Sequence, residues 1–141
     1  MLQFKIYSFE TLEVWKETRS LVTKIYCLTK SYPSDEKYGL VSQMRRAAVS
    51  VSSNLAEGSS RKSFKDQSRF SEIAYGSLME LLCESLSSFD IGYITEQVLN
   101  ELRTMYDRIG SKLTGLRDSQ IKRFEKAQLR SDPREARDNN L

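Results

Sequence analysis

The chain has 141 residues, of which 39% are hydrophobic and 29% charged, with a net charge of +3 and only two prolines. That length suits one domain able to bury its own core without disulfides or metal, and the composition is ordinary for a soluble globular protein, with prolines few enough for long helices. No apolar run approaches the roughly 18 residues that a membrane span needs, and Met1 to Lys5 lack the basic-then-apolar pattern of a secretory leader, so neither is expected.

Cys27 and Cys83 form no CxxC pair, so neither a disulfide framework nor a structural zinc site is expected, and a reducing cytoplasm is the simplest setting. The chain contains no histidine, which removes both the commonest general base and the commonest metal ligand. Glycine motifs of phosphate loops, dinucleotide folds and nucleophile elbows are absent too. The chain therefore reads as non-enzymatic, with no catalytic residues, no metal and no cofactor.

The first helix is predicted from about Phe9 to Ser31, ended by Pro33, because the residue before a proline disfavours helical geometry. Leu12, Trp15, Val22 and Tyr26 form one apolar stripe on it; Val14, Leu21, Ile25, Leu28 and Tyr32 form a second beside it. Together they exceed the apolar arc of about 100° that a surface helix needs. The excess predicts burial on two sides, against the bundle and against another subunit. Cys27 falls on the polar side, beside Ser20 and Lys24.

Ser34-Asp35-Glu36 opens the second helix as an N-cap followed by two carboxylates that suit the helix dipole. Its apolar face is Leu40, Met44, Ala47, Ala48, Val51 and Leu55, and Gly58 is the natural stop. The third helix starts near Ser63 and carries Phe70, Ile73, Ala74, Leu78, Leu81, Leu82, Leu86 and Phe89. After a turn at Asp90–Tyr93, Thr95 caps the fourth, whose face is Val98, Leu102, Met105, Tyr106, Ile109, Leu113 and Leu116. Short connections make sequential helices antiparallel neighbours, so the fold class is all-α, an antiparallel up-down four-helix bundle. The organisation is a lead-in over 1–8, the bundle over 9–118, and a helix extension with a charged, disordered tail over 119–141, the tail beginning near Arg130.

Charge is uneven along this layout. From Arg45 to Arg69 the bases are Arg45, Arg46, Arg61, Lys62, Lys65 and Arg69 against Glu57 and Asp66, so six minus two leaves +4. Basic charge at a helix junction suits phosphate backbones, and Ser60 and Ser63 can add hydroxyl contacts. A solvated turn explains the same pattern. Phe64 and Phe70 could stack on bases, but their helical spacing beside apolar neighbours reads as core. No groove-reading motif is present, so phosphate contacts alone would carry little sequence preference.

On the second helix Arg46, Ser50, Ser53 and Glu57 share a polar stripe next to Asn54 that leads into Gly58. It suits either a subunit interface or a solvent face. The segment from Tyr38 to Val51 (YGLVSQMRRAAVSV), followed by Asn54-Leu55-Ala56-Glu57-Gly58 and Arg61, strongly resembles the four-helix bundle proteins encoded in intervening sequences of bacterial 23S ribosomal RNA. Arg69-Phe70, Ala74, Gly76-Ser77 and Glu80 continue the resemblance, as does Leu12-Glu13-Val14-Trp15, so that it spans roughly residues 9 to 118.

The resemblance implies a ring-forming oligomer, usually a homopentamer, with an RNA-associated role. A related protein, the accessory variability determinant of diversity-generating retroelements, shares the fold and binds nucleic acid and a reverse transcriptase. Trp15, Gln43, Asn54, Glu57, Gly58, Gly76 and Glu80 are then the motif positions expected to serve structure or interface, with Glu57 and Glu80 as partners for Arg45 or Arg46. In the family the position between Gly58 and Arg61 is often aromatic; here Ser59-Ser60 stand there. Two functions stay open: a nucleic-acid-associated ring that binds RNA or DNA through its basic end, or a protein-interaction module, for example one that binds a reverse transcriptase. The expected partners include further copies of the chain and no membrane.

Overall fold

A computed structural model describes residues 2–132. Four helices follow one another: α1 (Glu13–Thr29), α2 (Leu40–Ser59), α3 (Phe64–Ile91) and α4 (Glu96–Ser131). They pack in sequential order, α1 on α2, α2 on α3 and α3 on α4, with α4 closing back on α1. This is the up-down bundle that the short connections predict.

The core is a column of side chains at helical spacing. Leu21 and Ile25 of α1 meet Met44, Ala48 and Val51 of α2, Leu78 and Leu81 of α3, and Leu102, Ile109 and Leu113 of α4, all essentially solvent-free. Each of these side chains but Ala48 contributes roughly 1.5–3 kcal/mol by leaving water. Polar pairs sit inside as well: the hydroxyls of Ser85 and Tyr106 are 2.9 Å apart, so the buried phenol is satisfied.

On α1 the stripe through Val14, Leu21, Ile25 and Tyr32 is the buried one. The other stripe has cover within the chain. A 3-10 turn at Ser8–Thr11 precedes α1 and sets Phe9 edge-on to Trp15 at 4.9 Å. Arg19 lies over the Trp15 ring at 5.7 Å, and Arg45 of α2 over Tyr26 at 4.6 Å. The wide arc therefore needs no second subunit to be partly covered.

Four boundaries depart from the sequence reading. The first helix starts at Glu13 and not near Phe9, because Ser8–Thr11 form a separate 3-10 turn before it. Ser34 does not cap α2. Ser34–Glu36 is a separate 3-10 turn, and α2 starts only after Gly39, where the Glu36 carboxylate reaches across to accept from the Leu40 amide at 2.9 Å. Gly58 is not a stop either, since it lies inside α2 in ordinary helical geometry; the positive-φ glycine is Gly92, which ends α3 at φ 95°. The expected tail begins too early at Arg130, because α4 runs on through Arg130 to Ser131. The rest of the expected tail, 133–141, lies outside the described residues. At 36 residues against 28, α4 outruns α3 by about 12 Å.

One acidic side chain is poorly served by this packing. Glu84 of α3 has a carboxylate oxygen shut off from water without a partner. Burial, reinforced by the negative charge of Glu80 and opposed by Arg46, pushes its pKa up to about 7. A carboxyl with a raised folded pKa favours folding while protonated, and that advantage is lost as pH rises from the unfolded value towards 7. Glu84→Gln should therefore match the parent near pH 5 and exceed it at pH 8. The gain should be about 1 kcal/mol after solvent screening, or about 4 °C in Tm. Thermal melts at the two pH values check this, and a variant no more stable at pH 8 would refute it.

Candidate nucleic-acid interface

The turn between α2 and α3 is built by local rules. The Ser60 amide bonds back to the Glu57 carbonyl and the Arg61 amide to the Gly58 carbonyl, each at 3.1 Å, which closes the end of α2. Ser63 caps α3 by accepting from the Asp66 amide at 3.1 Å, and α3 starts there as expected from sequence. The Gln67 side chain donates to the Arg61 carbonyl at 2.9 Å and pins the loop. Gly58 is buried here because α2 and α3 touch: a Cβ on it would lie 2.7 Å from Cβ of Phe70.

This turn presents Arg61, Lys62, Lys65 and Arg69, all exposed. Arg61 pairs with Glu57 at 3.1 Å and lies 4.8 Å over the Phe70 ring. Lys62 and Arg69 have no acidic partner among the described residues. Because α4 is antiparallel to α3 and longer, its last turns reach the same end. Arg123 sits 5.7 Å over Phe64, and Lys65 sits 5.8 Å over Phe124. Lys122 and Lys126 follow along an open groove of α4. Seven cations (Arg61, Lys62, Lys65, Arg69, Lys122, Arg123, Lys126) thus share one end with Glu57, Asp66, Asp118 and Glu125, so seven minus four leaves +3.

Phe64 and Phe70 are half-buried with guanidinium groups over them. They are neither the full core residues the spacing suggests nor bare stacking platforms.

Arg45 and Arg46, grouped with this patch on sequence, are not there. They lie near the start of α2, about 22 Å up the helix from Arg61. Arg45 donates to the Thr29 hydroxyl at 2.9 Å and joins α1 to α2. Arg46 bridges Glu80 and the side-chain oxygen of Gln43, both at 2.9 Å, and joins α2 to α3. The Glu80 pairing is as expected, while Glu57 pairs with Arg61 instead of either. The rest of the polar stripe continues this seam: Ser50 meets Ser77 at 2.8 Å, and Asn54 donates to the Ser50 carbonyl at 2.8 Å. Trp15 stays half-buried at the α1 flank. Gly76 has nothing within 4 Å of where its Cβ would be.

What sequence reading missed is the share of α4. It sets Lys122, Arg123 and Lys126 in the extension and tail, apart from the basic turn. The signal available was the helical spacing that continues past Gln120 through Ile121 and Phe124. Also unforeseen is a cavity of about 340 Å³ at this end, lined by the Ser8 turn and by residues from the start of α1 and from α2, α3 and α4: Leu12, Asn54, Gln67, Ser119, Gln120 and Arg123 among them. No group of three or more His, Cys, Asp or Glu that could hold a metal occurs among the described residues. Nor is any described helix long and apolar enough to cross a membrane.

The class this defines is an all-α up-down four-helix bundle with a basic end. Residues 10–115 match the family model of the 23S rRNA-intervening sequence protein, and the chain belongs to that family. A solved structure of a protein of unknown function from the S23 ribosomal protein family of Bacteroides thetaiotaomicron VPI-5482 shares the fold. It aligns with a TM-score of 0.70 at 19% identity, over 74% of this chain and 95% of that one. No curated protein matches the chain.

Proposed function

We propose that this chain is a non-enzymatic bundle that assembles with copies of itself into a ring, five being the number the family resemblance favours. In this reading the ring associates with RNA through its basic end. The observation that carries the RNA reading is the convergence of cations from two separate elements, the α2–α3 turn and the end of α4, several of them without acidic partners among the described residues. Phosphate contacts of this kind release counterions, so affinity should fall steeply with salt. Titration of a labelled single-stranded RNA at about 50 and 200 mM salt tests it. Absence of binding at the lower salt would end the reading.

Assembly has its own support. Gly76 stands mid-helix on the outer face of α3, where a glycine costs about 1 kcal/mol relative to alanine, and nothing in its own chain occupies the space. Ile73 and Met79 beside it are 43% and 37% exposed. A helix of a second copy seated there would explain all three. Light scattering should then give a mass well above 16.3 kDa. Both cysteines are exposed in the single chain. Cys83 lies on the Gly76 face of α3 and Cys27 faces away from the core of α1. Under assembling conditions Cys83 should therefore label with thiol reagents more slowly than Cys27. A mass of one chain, with equal labelling, would remove the ring.

The interaction-module reading draws on a different feature. Leu2, Phe4 and Ile6 precede the bundle outside any helix, 81%, 78% and 65% exposed, as apolar side chains without a seat. Salt-insensitive capture of a protein such as a reverse transcriptase, with no RNA binding, would favour it.

A further inference from the structure

The cavity at the basic end has a chemistry distinct from the cations around it. Its volume of about 340 Å³ falls at the small end of ligand pockets, roughly 300–1,000 Å³, and suits one planar heterocycle. Leu12, Leu55 and Leu116 give it apolar walls.

Its polar groups are amides with one end used and the other left over. Gln120 is only 9% exposed; its Oε1 accepts from the Ser71 hydroxyl at 2.8 Å, and its Nε2 has no partner among the described residues. Asn54 spends its Nδ2 on Ser50, which leaves Oδ1 as a free acceptor. Gln67 spends its Nε2 on the Arg61 carbonyl, which leaves Oε1. The lining therefore offers a donor from Gln120 and acceptors from Asn54 and Gln67. These three atoms line the cavity open to water, so an occupant that displaces the water has to pair with them to avoid leaving them unsatisfied.

A phosphate presents acceptors alone and would face two carbonyl oxygens. A hydrocarbon would satisfy none of them. A planar ring with an amino group beside a hydrogen-bond acceptor meets both kinds, which is an edge of adenine, cytosine or guanine. Uracil has no amine, and its one donor, N3–H, lies between two carbonyls, so it serves only one of the two acceptors. Unstacked bases read on such edges are the usual targets of sequence-selective RNA recognition. Arg123 is part of the same lining, so a backbone phosphate just outside has a cation.

We infer that this cavity receives one unstacked, amino-bearing nucleobase from RNA held at the basic end. The inference rests on the RNA reading above and adds a base preference that phosphate contacts lack.

The test uses the full chain and short labelled oligo(A) and oligo(U), titrated by fluorescence anisotropy at two salt concentrations. Oligo(A) should bind about tenfold tighter, the lower end of what one well-paired base is worth. That ratio should persist at the higher salt, because the base contact neutralises no phosphate. Ser119→Trp, at an exposed position on the cavity rim, should bring the ratio to about one while leaving the salt slope for oligo(U) unchanged. Gln120→Leu, which deletes the free donor, should do the same and serves if circular dichroism shows the tryptophan variant unfolded. Equal binding of the two oligomers by the parent, or a ratio that survives in a folded plugged variant, overturns the base pocket and leaves the basic end intact. Failure of the parent to bind either oligomer at low salt brings down both.

Discussion

Gly58→Val should lower the melting temperature by about 10 °C, the effect of a loss of roughly 2–3 kcal/mol in a domain of this size. The reason is geometric. A Cβ at this position would stand 2.7 Å from Cβ of Phe70, and a Cβ cannot rotate away as the tip of a long side chain can. The backbones of α2 and α3 would have to separate where they approach this closely. Gly58→Ala should lose less, about 1 kcal/mol, because alanine recovers about 1 kcal/mol of helix propensity against the same clash. Gly115→Ala, inside α4, is the control within the same protein. It meets nothing within 4 Å, so the propensity gain stands alone and the protein should melt about 4 °C higher. Thermal denaturation followed by circular dichroism reads all three. A neutral Gly58→Val would mean that α2 and α3 are not in contact as described.

The contrast shows what a sequence carries about a glycine. As a residue type Gly58 reads as a stop, because glycine is the residue that tolerates the left-handed turn ending many helices. That role belongs in this chain to Gly92. Gly58 is set by close approach to Phe70, a residue twelve positions on and in another helix, and no local rule reports such a contact. The Thr95 cap was legible because it is local, reaching the Val98 amide three positions on; Ser63 meets the Asp66 amide over the same span. Ser34 has the same local pattern without the same outcome, since Gly39 interrupts the chain and the Glu36 carboxylate serves the start of α2 instead.

The apolar faces were legible wherever a helix faces its neighbours. The end of α4 was legible only as far as Ile121 and Phe124, whose spacing carries the helix two turns on, with Phe124 still against Lys65 at the start of α3. Beyond Phe124 the residues up to Ser131 are exposed, and Lys126 and Arg130 are good helix formers without an apolar stripe, which periodicity cannot separate from a charged tail. The basic turn could be located from charge alone. That Arg45 and Arg46 belong elsewhere required knowing the length of α2, because proximity in sequence becomes about 22 Å along a helix axis. The cavity was out of reach altogether. Leu12, Asn54, Gln67 and Gln120 come from different elements, and only the folded chain brings their amides together.

Replacing Arg61, Lys62 and Lys65 together by glutamine should reduce the salt slope of RNA binding by about three, roughly one for each phosphate no longer neutralised. Lys62 is the cleanest of the three, exposed and without an acidic partner among the described residues. Arg61 also covers Phe70 and pairs with Glu57, and Lys65 also covers Phe124. Those interactions are solvent-exposed and worth at most about 1 kcal/mol each, so the fold should survive, with a melting temperature a few degrees lower. Arg69, Lys122, Arg123 and Lys126 remain, which predicts weakened binding at low salt instead of its abolition. A ring would amplify the effect, because identical patches around an axis act multivalently and each missing cation is missing from every copy. Arg45 and Arg46 supply the comparison. With their charge committed to the α1–α2 and α2–α3 seams, Arg46→Gln should cost stability and leave the salt slope unchanged. If instead Arg46→Gln flattens the slope while the triple variant binds as the parent does, RNA lies against the side of the bundle along α2 and α3, and the basic end is a solvated turn.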